Sequence, residues 1–339
     1  MMRYSVLLAA AIALSGLTAP ESPTRTGAQS TPPPDPATET LTYDLPDEQI
    51  FPEGIAYDPA TNAFYVGSTN DGTIYRGDLE TGDVTVFAEA GADGRTAVTG
   101  IKVDGEGRLY AAGRQTGQLF IYDVSTGDLL GQFENGLGEG ETLVNDIAIT
   151  PDGSAYITDS FNPVLYRISS DAVDATTPPG AEPAATQLDV FLDFTGTVFE
   201  YGDGSNANGI VATTDGAFLL IVSFDSGRLF RVEVATASVT EVDLGGATLT
   251  GGDGLALDGQ TLYVVRDTEG GITPANLTDD FASGSVGEGV TDPTFDYPTT
   301  MALVGDGTAL VVNSQLDMEQ DGGQPSLPFT VSRIILPAV

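Results

Sequence analysis

The chain has 339 residues, of which 41% are hydrophobic, 42 are glycine and 20 are proline. Its formal net charge is −37, from 12 basic and 49 acidic residues, and such a surface repels nucleic acids and anionic membranes. Cysteine and histidine are absent, which excludes disulfides, thiolate or imidazole metal sites and Ser-His or Cys-His nucleophile pairs. Any acid–base chemistry must therefore use carboxylates, tyrosines, the single lysine Lys102 or a metal-activated water. We interpret the charge as a solvated acidic coat rather than as a specific cation-binding face.

The amino terminus carries the pattern of an export signal. Arg3 precedes an apolar stretch at 5–14 that is too short to span a bilayer. Residues 1–19 are therefore predicted to be a signal peptide, and residues 20–39, rich in Pro, Thr and Ser, a disordered leader. Residues 40–339 are predicted to form a single domain of an exported protein, either periplasmic or extracellular.

A strand–turn–strand unit recurs six times along the chain. In its best-preserved copy, residues 144–160, alternating Ile147 and Ile149 precede the turn at 151–153. One polar position marks each copy, and these positions are Glu53, Thr99, Asn145, Asn208, Asp253 and Thr299. They lie 45 or 46 residues apart, except for one interval of 63 in which residues 171–187 form a Pro/Ala/Thr-rich inserted loop without a strand pattern. A period of about 45 with several short strands per unit predicts an all-β fold, a six-bladed β-propeller.

The strand pattern is uneven at the end of the chain. In blade five, residues 268–294 are rich in Gly and Asp without clear alternation, so the outer strands of this blade cannot be placed. The last blade has three strand patterns and ends with residues 329–335, while an unpaired strand pattern at 41–45 opens the folded part. Pairing these two segments would close the ring of sheets and remove exposed strand edges. We therefore predict a propeller that is closed by its N-terminal strand.

The six marker positions are predicted to form a ring. In a propeller the innermost strands all run in the same direction, so their first residues meet at one mouth of the central tunnel. Every member of this ring carries a side-chain oxygen, which is the ligand that a hard cation such as Ca²⁺ requires. For any one residue taken alone, a turn in which Asp or Asn bonds to nearby backbone is the favoured interpretation. For the set of four that are Asp, Asn or Glu, we favour a metal site formed by Glu53, Asn145, Asn208 and Asp253.

Four segments, in chain order, resemble the family of senescence marker protein (regucalcin), gluconolactonase and luciferin-regenerating enzyme. They are Pro-Glu-Gly-Ile-Ala at 52–56, Asn-Asp-Ile-Ala-Ile-Thr-Pro-Asp-Gly at 145–153, Asn-Gly-Ile at 208–210 and Asp-Gly-Leu-Ala-Leu-Asp at 253–258. The resemblance covers residues 41–337 and implies a six-bladed propeller with a central divalent cation. It implies that Glu53, Asn208 and Asp253 hold this cation. It also implies that Asn145 faces the metal or the substrate and that Asp253 assists hydrolysis.

The expected function is that of an exported, calcium-dependent hydrolase that opens a small-molecule lactone or related ester, acting as a monomer. The cation would polarise the carbonyl group, and either Asp253 as a base or a water positioned by Asp253 and Asn145 would carry out the attack. Leu143 stands where family members acting on sugar lactones carry Arg, which argues against a gluconolactone-like substrate. The alternative is a non-enzymatic propeller that binds a ligand or a protein around a structural calcium. Asp159 is either a rim residue near the site or a turn cap.

Overall fold

A computed structural model describes residues 40–174, 185–305 and 307–336 of the chain. The predicted signal peptide (1–19) and leader (20–39) lie outside these ranges. The described residues form six sheets and two short α-helices, α1 (Ser170–Asp174) and α2 (Leu316–Asp321). The prediction of a six-bladed β-propeller is therefore confirmed. Neither helix has the length and apolar character needed to cross a membrane.

Each blade is built from four antiparallel strands, which are numbered in chain order. Blade one contains β2 (Pro52–Asp58), β3 (Ala63–Ser68), β4 (Ile74–Asp78) and β5 (Val84–Ala88). Blade two contains β6 (Ile101–Val103), β7 (Arg108–Ala112), β8 (Gln118–Asp123) and β9 (Leu129–Glu134). Blade three contains β10 (Val144–Ile149), β11 (Ala155–Asp159), β12 (Val164–Ile168) and β14 (Asp189–Asp193).

The other three blades follow the same plan. Blade four contains β15 (Ala207–Ala212), β16 (Phe218–Ser223), β17 (Leu229–Glu233) and β18 (Ser238–Glu241). Blade five contains β19 (Gly252–Asp258), β20 (Thr261–Arg266), β21 (Gly271–Leu277) and β22 (Gly284–Val286). Blade six contains β23 (Pro298–Gly305), β24 (Thr308–Asn313), β25 (Thr330–Ile335) and β1 (Leu41–Asp44).

The first strand of each blade is the innermost one, and these six strands surround a central axis. Each contacts the innermost strands of its two neighbouring blades, and β23 of blade six contacts β2 of blade one. The hydrophobic core lies between adjacent sheets, as where Tyr65 of blade one packs with Leu109 and Phe120 of blade two. Burial of apolar faces between sheets is the main stabilising term of such a fold.

Strand β1 is the outermost strand of blade six. It pairs antiparallel with β25, with Leu41 opposite Arg333 and Asp44 opposite Thr330. Tyr43, the buried residue of β1, packs on Phe64 of blade one with 5.2 Å between ring centroids. The N-terminal strand is thus attached by backbone pairing to one blade and by side-chain packing to the next.

The outer half of blade five does contain strands, β21 and β22, which could not be placed from the sequence. Strand β21 includes Pro274, which lacks the N–H that a ladder normally uses and weakens the strand signal. The structure accommodates this proline opposite Tyr263, and its carbonyl oxygen accepts a hydrogen bond from Gly287 N at 2.8 Å.

The predicted inserted loop at 171–187 is wrong at both of its ends. It begins inside α1 and ends in a short strand, β13 (Thr186–Gln187), which pairs parallel with β9 of blade two. Residues 175–184 lie outside the described part of the chain. The two-residue strand was missed because it binds the free edge of a neighbouring blade rather than following an alternating pattern of its own.

Candidate functional site

A β-bulge lies at the start of five of the six innermost strands. The register of pairing shifts between Pro52 and Ile55, Val144 and Ile147, Ala207 and Ile210, Gly252 and Leu255, and Pro298 and Met301. In each case a residue of the predicted ring is the first residue inside the shifted segment. A bulge bends the strand and redirects a side chain. The repeated bulge therefore explains how the same sequence position presents its side chain at one mouth of the tunnel, which we call the site mouth.

The glycine that follows several ring residues is required by the close approach of neighbouring blades. A Cβ atom added at Gly54 would lie 2.2 Å from the carbonyl oxygen of Thr99, and one at Gly209 would lie 2.0 Å from that of Asp253. At these two positions only glycine leaves room for the backbone of the neighbouring blade. The innermost strands of blades one and two, and of blades four and five, therefore lie in close contact at these glycines.

Four predicted site residues line a single cavity of about 320 Å³ at the site mouth: Glu53, Asn145, Asn208 and Asp253. Thr99 of the ring also lines it. Thr299 instead is fully buried, and its hydroxyl donates to the Glu53 carbonyl oxygen at 2.9 Å. The structure thus brings together the residues that sequence reasoning selected.

The cavity is also lined by residues that sequence reasoning did not select for the site. They include Arg114, Leu143, Phe161, Phe224, Asp267, Leu316 and Gln320. Phe161, Phe224 and Asp267 each come one or two residues after the end of a second strand. Since neighbouring strands are antiparallel, the second strand ends where the innermost strand begins. Their position after a second strand was therefore the signal that could have identified them.

Three of the four predicted residues present a buried oxygen atom without a hydrogen-bond partner. Six buried side-chain polar atoms are unpaired among the described residues, and three of them are Glu53 Oε2, Asn145 Oδ1 and Asn208 Oδ1. The Asn145 amide nitrogen donates to Ser160 Oγ at 2.9 Å, and the Asn208 side chain hydrogen-bonds Asp253. Buried polar atoms are nearly always paired, so this concentration of unpaired oxygens indicates a site suited to binding a ligand.

Burial raises the pKa of the carboxylates in the cavity. The pKa of Glu53 rises to about 8, first through burial and then through the charge of Asp146. Burial, followed by the charges of Glu53 and Asp267, holds the pKa of Asp253 well above its usual range. Burial likewise raises the pKa of Asp267 to about 6, against hydrogen bonds from the Thr268 backbone and the Tyr297 side chain. A positive charge in the cavity would favour the ionised form of all three carboxylates.

The donor set fits a hard cation, although it is not a cluster of carboxylates. Within the described ranges, no three His, Cys, Asp or Glu side chains are grouped so that they could hold a metal. The candidate set contains two carboxylates, Glu53 and Asp253, and two amides, Asn145 and Asn208. Amide oxygens are ordinary ligands of calcium, and a set with two carboxylates balances the charge of a divalent ion. The residues present are therefore chemically suited to calcium.

Asp146 occupies the position where several other blades carry glycine. Its Oδ2 accepts from Ile210 N at 3.1 Å, its Oδ1 accepts from Ile147 N at 2.8 Å, and Lys102 Nζ lies 3.6 Å from Oδ1. The carboxylate thus joins the bulge of blade three to that of blade four, next to Asn208. Lys102, the single lysine of the chain, forms an ion pair with this carboxylate.

Helix α2, in the connection between β24 and β25, covers one side of the cavity. Arg114 makes a two-pronged ion pair with Glu319 of this helix, at 3.2 and 2.9 Å, and also donates to the Thr69 carbonyl oxygen at 3.3 Å. Arg114 has a left-handed backbone, with φ of 56°, which is uncommon for a residue with a Cβ. The ion pair places Leu316 and Gln320 of the helix at the cavity.

Asp159 is a buried turn cap that supports the rim. Its carboxylate accepts from Thr142 Oγ1 at 2.5 Å, Leu143 N at 3.1 Å, Phe161 N at 2.9 Å and Asn162 N at 3.0 Å. Asp159 does not itself line the cavity, but it fixes the backbone of two residues that do, Leu143 and Phe161.

Solved structures share this fold at low sequence identity. Regucalcin from Agrobacterium tumefaciens, a calcium-binding protein, is 19% identical with a TM-score of 0.58, over 86% of this chain and 93% of that one. The Malassezia sympodialis allergen Mala s 1 is 17% identical with a TM-score of 0.61, over 86% and 95%. A protein assigned as a gluconolactonase is 16% identical with a TM-score of 0.58, over 88% and 94%. The resemblance to the regucalcin and gluconolactonase family is thus confirmed at the level of the fold.

Comparisons of sequence alone give no match. No protein-family model matches the chain, and no curated protein sequence matches it. The activity must therefore be inferred from the site itself, because one propeller fold carries many functions.

Proposed function

We propose that the site mouth binds a divalent cation, calcium by preference, through Glu53, Asn145, Asn208 and Asp253, and that the protein hydrolyses a lactone or related ester there. The observation that carries this proposal is the group of unpaired buried oxygens on Glu53, Asn145 and Asn208 beside the Asp253 carboxylate. Leaving such atoms unpaired is costly, and a calcium ion would satisfy them together. The shared fold with a calcium-binding regucalcin and a protein assigned as a gluconolactonase supports the same function.

The reaction adds water to the acyl carbon of the substrate. The bond between that carbon and the ring oxygen breaks, the ring oxygen takes a proton, and the product is a hydroxy acid. A bound cation would supply Lewis acidity at the carbonyl oxygen of the substrate. The chain's own contribution is to accept the proton of the attacking water and to orient that water.

Two carboxylates are candidates for the base. Asp253 faces the cavity beside the amide groups, but a carboxylate that binds a cation is a weak base. Asp267 also lines the cavity and is not one of the four proposed ligands, so its carboxylate would stay free to accept a proton from the attacking water. Asn145, held by Ser160, would orient the water.

The test is hydrolysis of a panel of lactones and aryl esters by purified protein with and without calcium. We expect turnover that is lost in excess chelator and restored when calcium is returned. Full activity in excess chelator would contradict the proposal. Calcium binding without turnover of any lactone or ester would instead favour the alternative, a non-enzymatic propeller that binds a ligand around a structural calcium.

We also propose that the protein is exported, on the strength of the signal pattern at 1–19. The intact mass of the protein recovered from periplasm or medium tests this. We expect the mass of a chain that has lost its first residues, near position 19, whereas a full-length chain retained in the cytoplasm would contradict export.

A further inference from the structure

The cavity at the site mouth is lined by two chemically different groups of residues. The polar group contains the carboxylates and amides described above, which would meet the carbonyl group of a substrate, together with other polar side chains such as Arg114. The apolar group, which we call the apolar wall, consists of Leu143, Phe161, Phe224 and Leu316. These four residues come from blades three, four and six, so the wall is assembled by the tertiary fold rather than by one segment.

Phe161 is unusual in its exposure. Its side chain is 41% exposed, and no other aromatic residue in the described ranges is as open to solvent. Leu143, Phe224 and Leu316 are each partly buried, so each also retains accessible apolar area. Apolar area at the edge of a cavity is area that a bound ligand can remove from water, and aromatic rings offer the most of it.

The wall is held in place by backbone hydrogen bonds. Asp159 accepts from both Leu143 N and Phe161 N, and Ser160 N donates to the Leu143 carbonyl oxygen at 2.9 Å. Phe224 N donates to the Asn206 carbonyl oxygen at 2.9 Å, and the Phe224 carbonyl oxygen accepts from Gly251 N at 2.9 Å. The backbone beneath the apolar side chains is therefore fixed before any ligand arrives, which lowers the entropic cost of binding.

We propose that the substrate carries a hydrocarbon group, an alkyl chain or an aromatic ring, next to its lactone or ester carbonyl, rather than the hydroxyl groups of a sugar lactone. This inference rests on the proposed function and names its substrate class. A sugar hydroxyl placed against the wall would lose its hydrogen bonds to water without gaining a partner. The cavity volume of about 320 Å³ lies at the small end of ligand pockets, which suits a lactone with one short chain or ring.

The test is a series of γ-lactones, from γ-butyrolactone to homologues with progressively longer alkyl chains, assayed with the calcium-loaded protein beside glucono-δ-lactone. We expect kcat/KM to rise by up to about fourfold for each added methylene, equivalent to ~0.8 kcal/mol, until the wall is covered. Phe161→Ala should reduce this increment and so lower activity on long-chain lactones more than on γ-butyrolactone. Val190→Ala, at an exposed residue on the outer strand of the same blade, should leave the increment intact. A flat series, or a preference for glucono-δ-lactone, would overturn the inference.

A binding measurement separates this inference from the proposed hydrolysis. Calorimetry with the ring-opened 4-hydroxy acids of the same series reports contact with the wall without requiring turnover. Affinity that rises with chain length and falls in Phe161→Ala supports the apolar wall even if no lactone is hydrolysed, in which case only the hydrolase proposal fails. If lactones are hydrolysed but the affinity for the hydroxy acids does not change with chain length, the hydrolase proposal would be supported and the apolar-wall inference would be contradicted.

Discussion

The two mouths of the propeller both contain a cavity lined by acidic residues, but they differ in how well their polar groups are satisfied. The opposite mouth, where the innermost strands of blades two to four end, holds the larger cavity, of about 500 Å³. There Arg108 lies 2.6 Å from Asp104, 2.6 Å from Asp174 and 2.7 Å from Glu106. The smaller cavity at the site mouth, of about 320 Å³, contains the unpaired oxygens. Unsatisfied polar groups therefore identify the candidate site better than size does.

The pKa values of two carboxyl groups, one at each mouth, are shifted in opposite directions. At the opposite mouth the Thr150 hydroxyl, hydrogen-bonded to Asp152, lowers the pKa of that carboxyl despite partial burial. At the site mouth burial raises the pKa of Glu53 to about 8. The protein thus stabilises the ionised form of Asp152, whereas the ionised form of Glu53 would be favoured by a further positive charge.

The largest expected difference between the mouths is in turnover. Asp253→Asn removes a charge from the proposed cation site and should lower kcat/KM for a lactone by about 100-fold or more. Asp152→Asn makes the same chemical change at the opposite mouth and should leave kcat/KM near the wild-type value. Steady-state kinetics at saturating calcium measures both. Equal losses in the two variants would mean that the mouths are not functionally distinct.

The second prediction concerns stability against pH in the absence of calcium. Because the pKa of Glu53 rises from 4.5 to about 8 on folding, the folded chain binds more protons than the unfolded chain between these values. The free energy of unfolding of the chelated protein should therefore fall as pH rises through this window. Asp152 has a lowered pKa and acts in the opposite sense, so its contribution is lost as pH falls.

Glu53→Gln should flatten the fall of stability with rising pH, whereas Asp152→Asn should change the profile only on the acidic side. Urea denaturation of both chelated variants across the window checks this. A Glu53→Gln profile that follows the wild-type one would show that Glu53 does not retain its proton on folding.

The third prediction concerns a residue of the opposite mouth, whose mutation should lower stability but not activity. Arg108→Met should destabilise the protein by about 1–3 kcal/mol, because Asp104, a side chain only 6% exposed, loses its charged partner. Activity per folded molecule should stay near the wild-type value, since Arg108 is at the opposite mouth. Urea denaturation and kinetics give the two quantities. A stable Arg108→Met with impaired turnover would contradict the assignment.

The smallest expected effect concerns the orientation of Asn145. Ser160→Ala removes the acceptor of its amide nitrogen and should weaken calcium binding about fivefold, equivalent to ~1 kcal/mol. Ser154→Ala is the matched control, because Ser154 is equally buried but lies at the opposite mouth and bonds Asp152. Calorimetric titration with calcium compares them. Equal calcium affinities in the two variants would show that Ser160 does not orient Asn145 for cation binding.

The sequence predicted the parts of this structure that repeat. The number of blades and the ring positions follow from a polar residue that recurs about every 45 residues, and the structure places Glu53, Asn145, Asn208 and Asp253 in one cavity. The roles of these four residues as cation ligands stay a prediction.

Features that do not repeat along the chain could not be predicted from the sequence in this way. The residues that follow the second strands differ in type, as with Phe161, Phe224 and Asp267, so no periodic signal connects them. Within the described residues, only blade six has a helix, α2, between its second and third strands, and the pairing of this helix with Arg114 joins residues 205 positions apart in sequence. Strand β21 was not predicted because its Pro274 disfavours a strand locally, whereas packing within the sheet of blade five stabilises the strand.

Calcium titration of the chelated protein by calorimetry tests the central claim most directly, that the site mouth rather than the opposite mouth is a cation site. We predict saturable binding at a single site in the wild type and in Asp152→Asn, and loss of that binding in Glu53→Ala and in Asp253→Ala. Circular dichroism should show that all four proteins retain their strand content. Wild-type affinity in the Glu53→Ala and Asp253→Ala variants, or loss of binding only in Asp152→Asn, would contradict this claim.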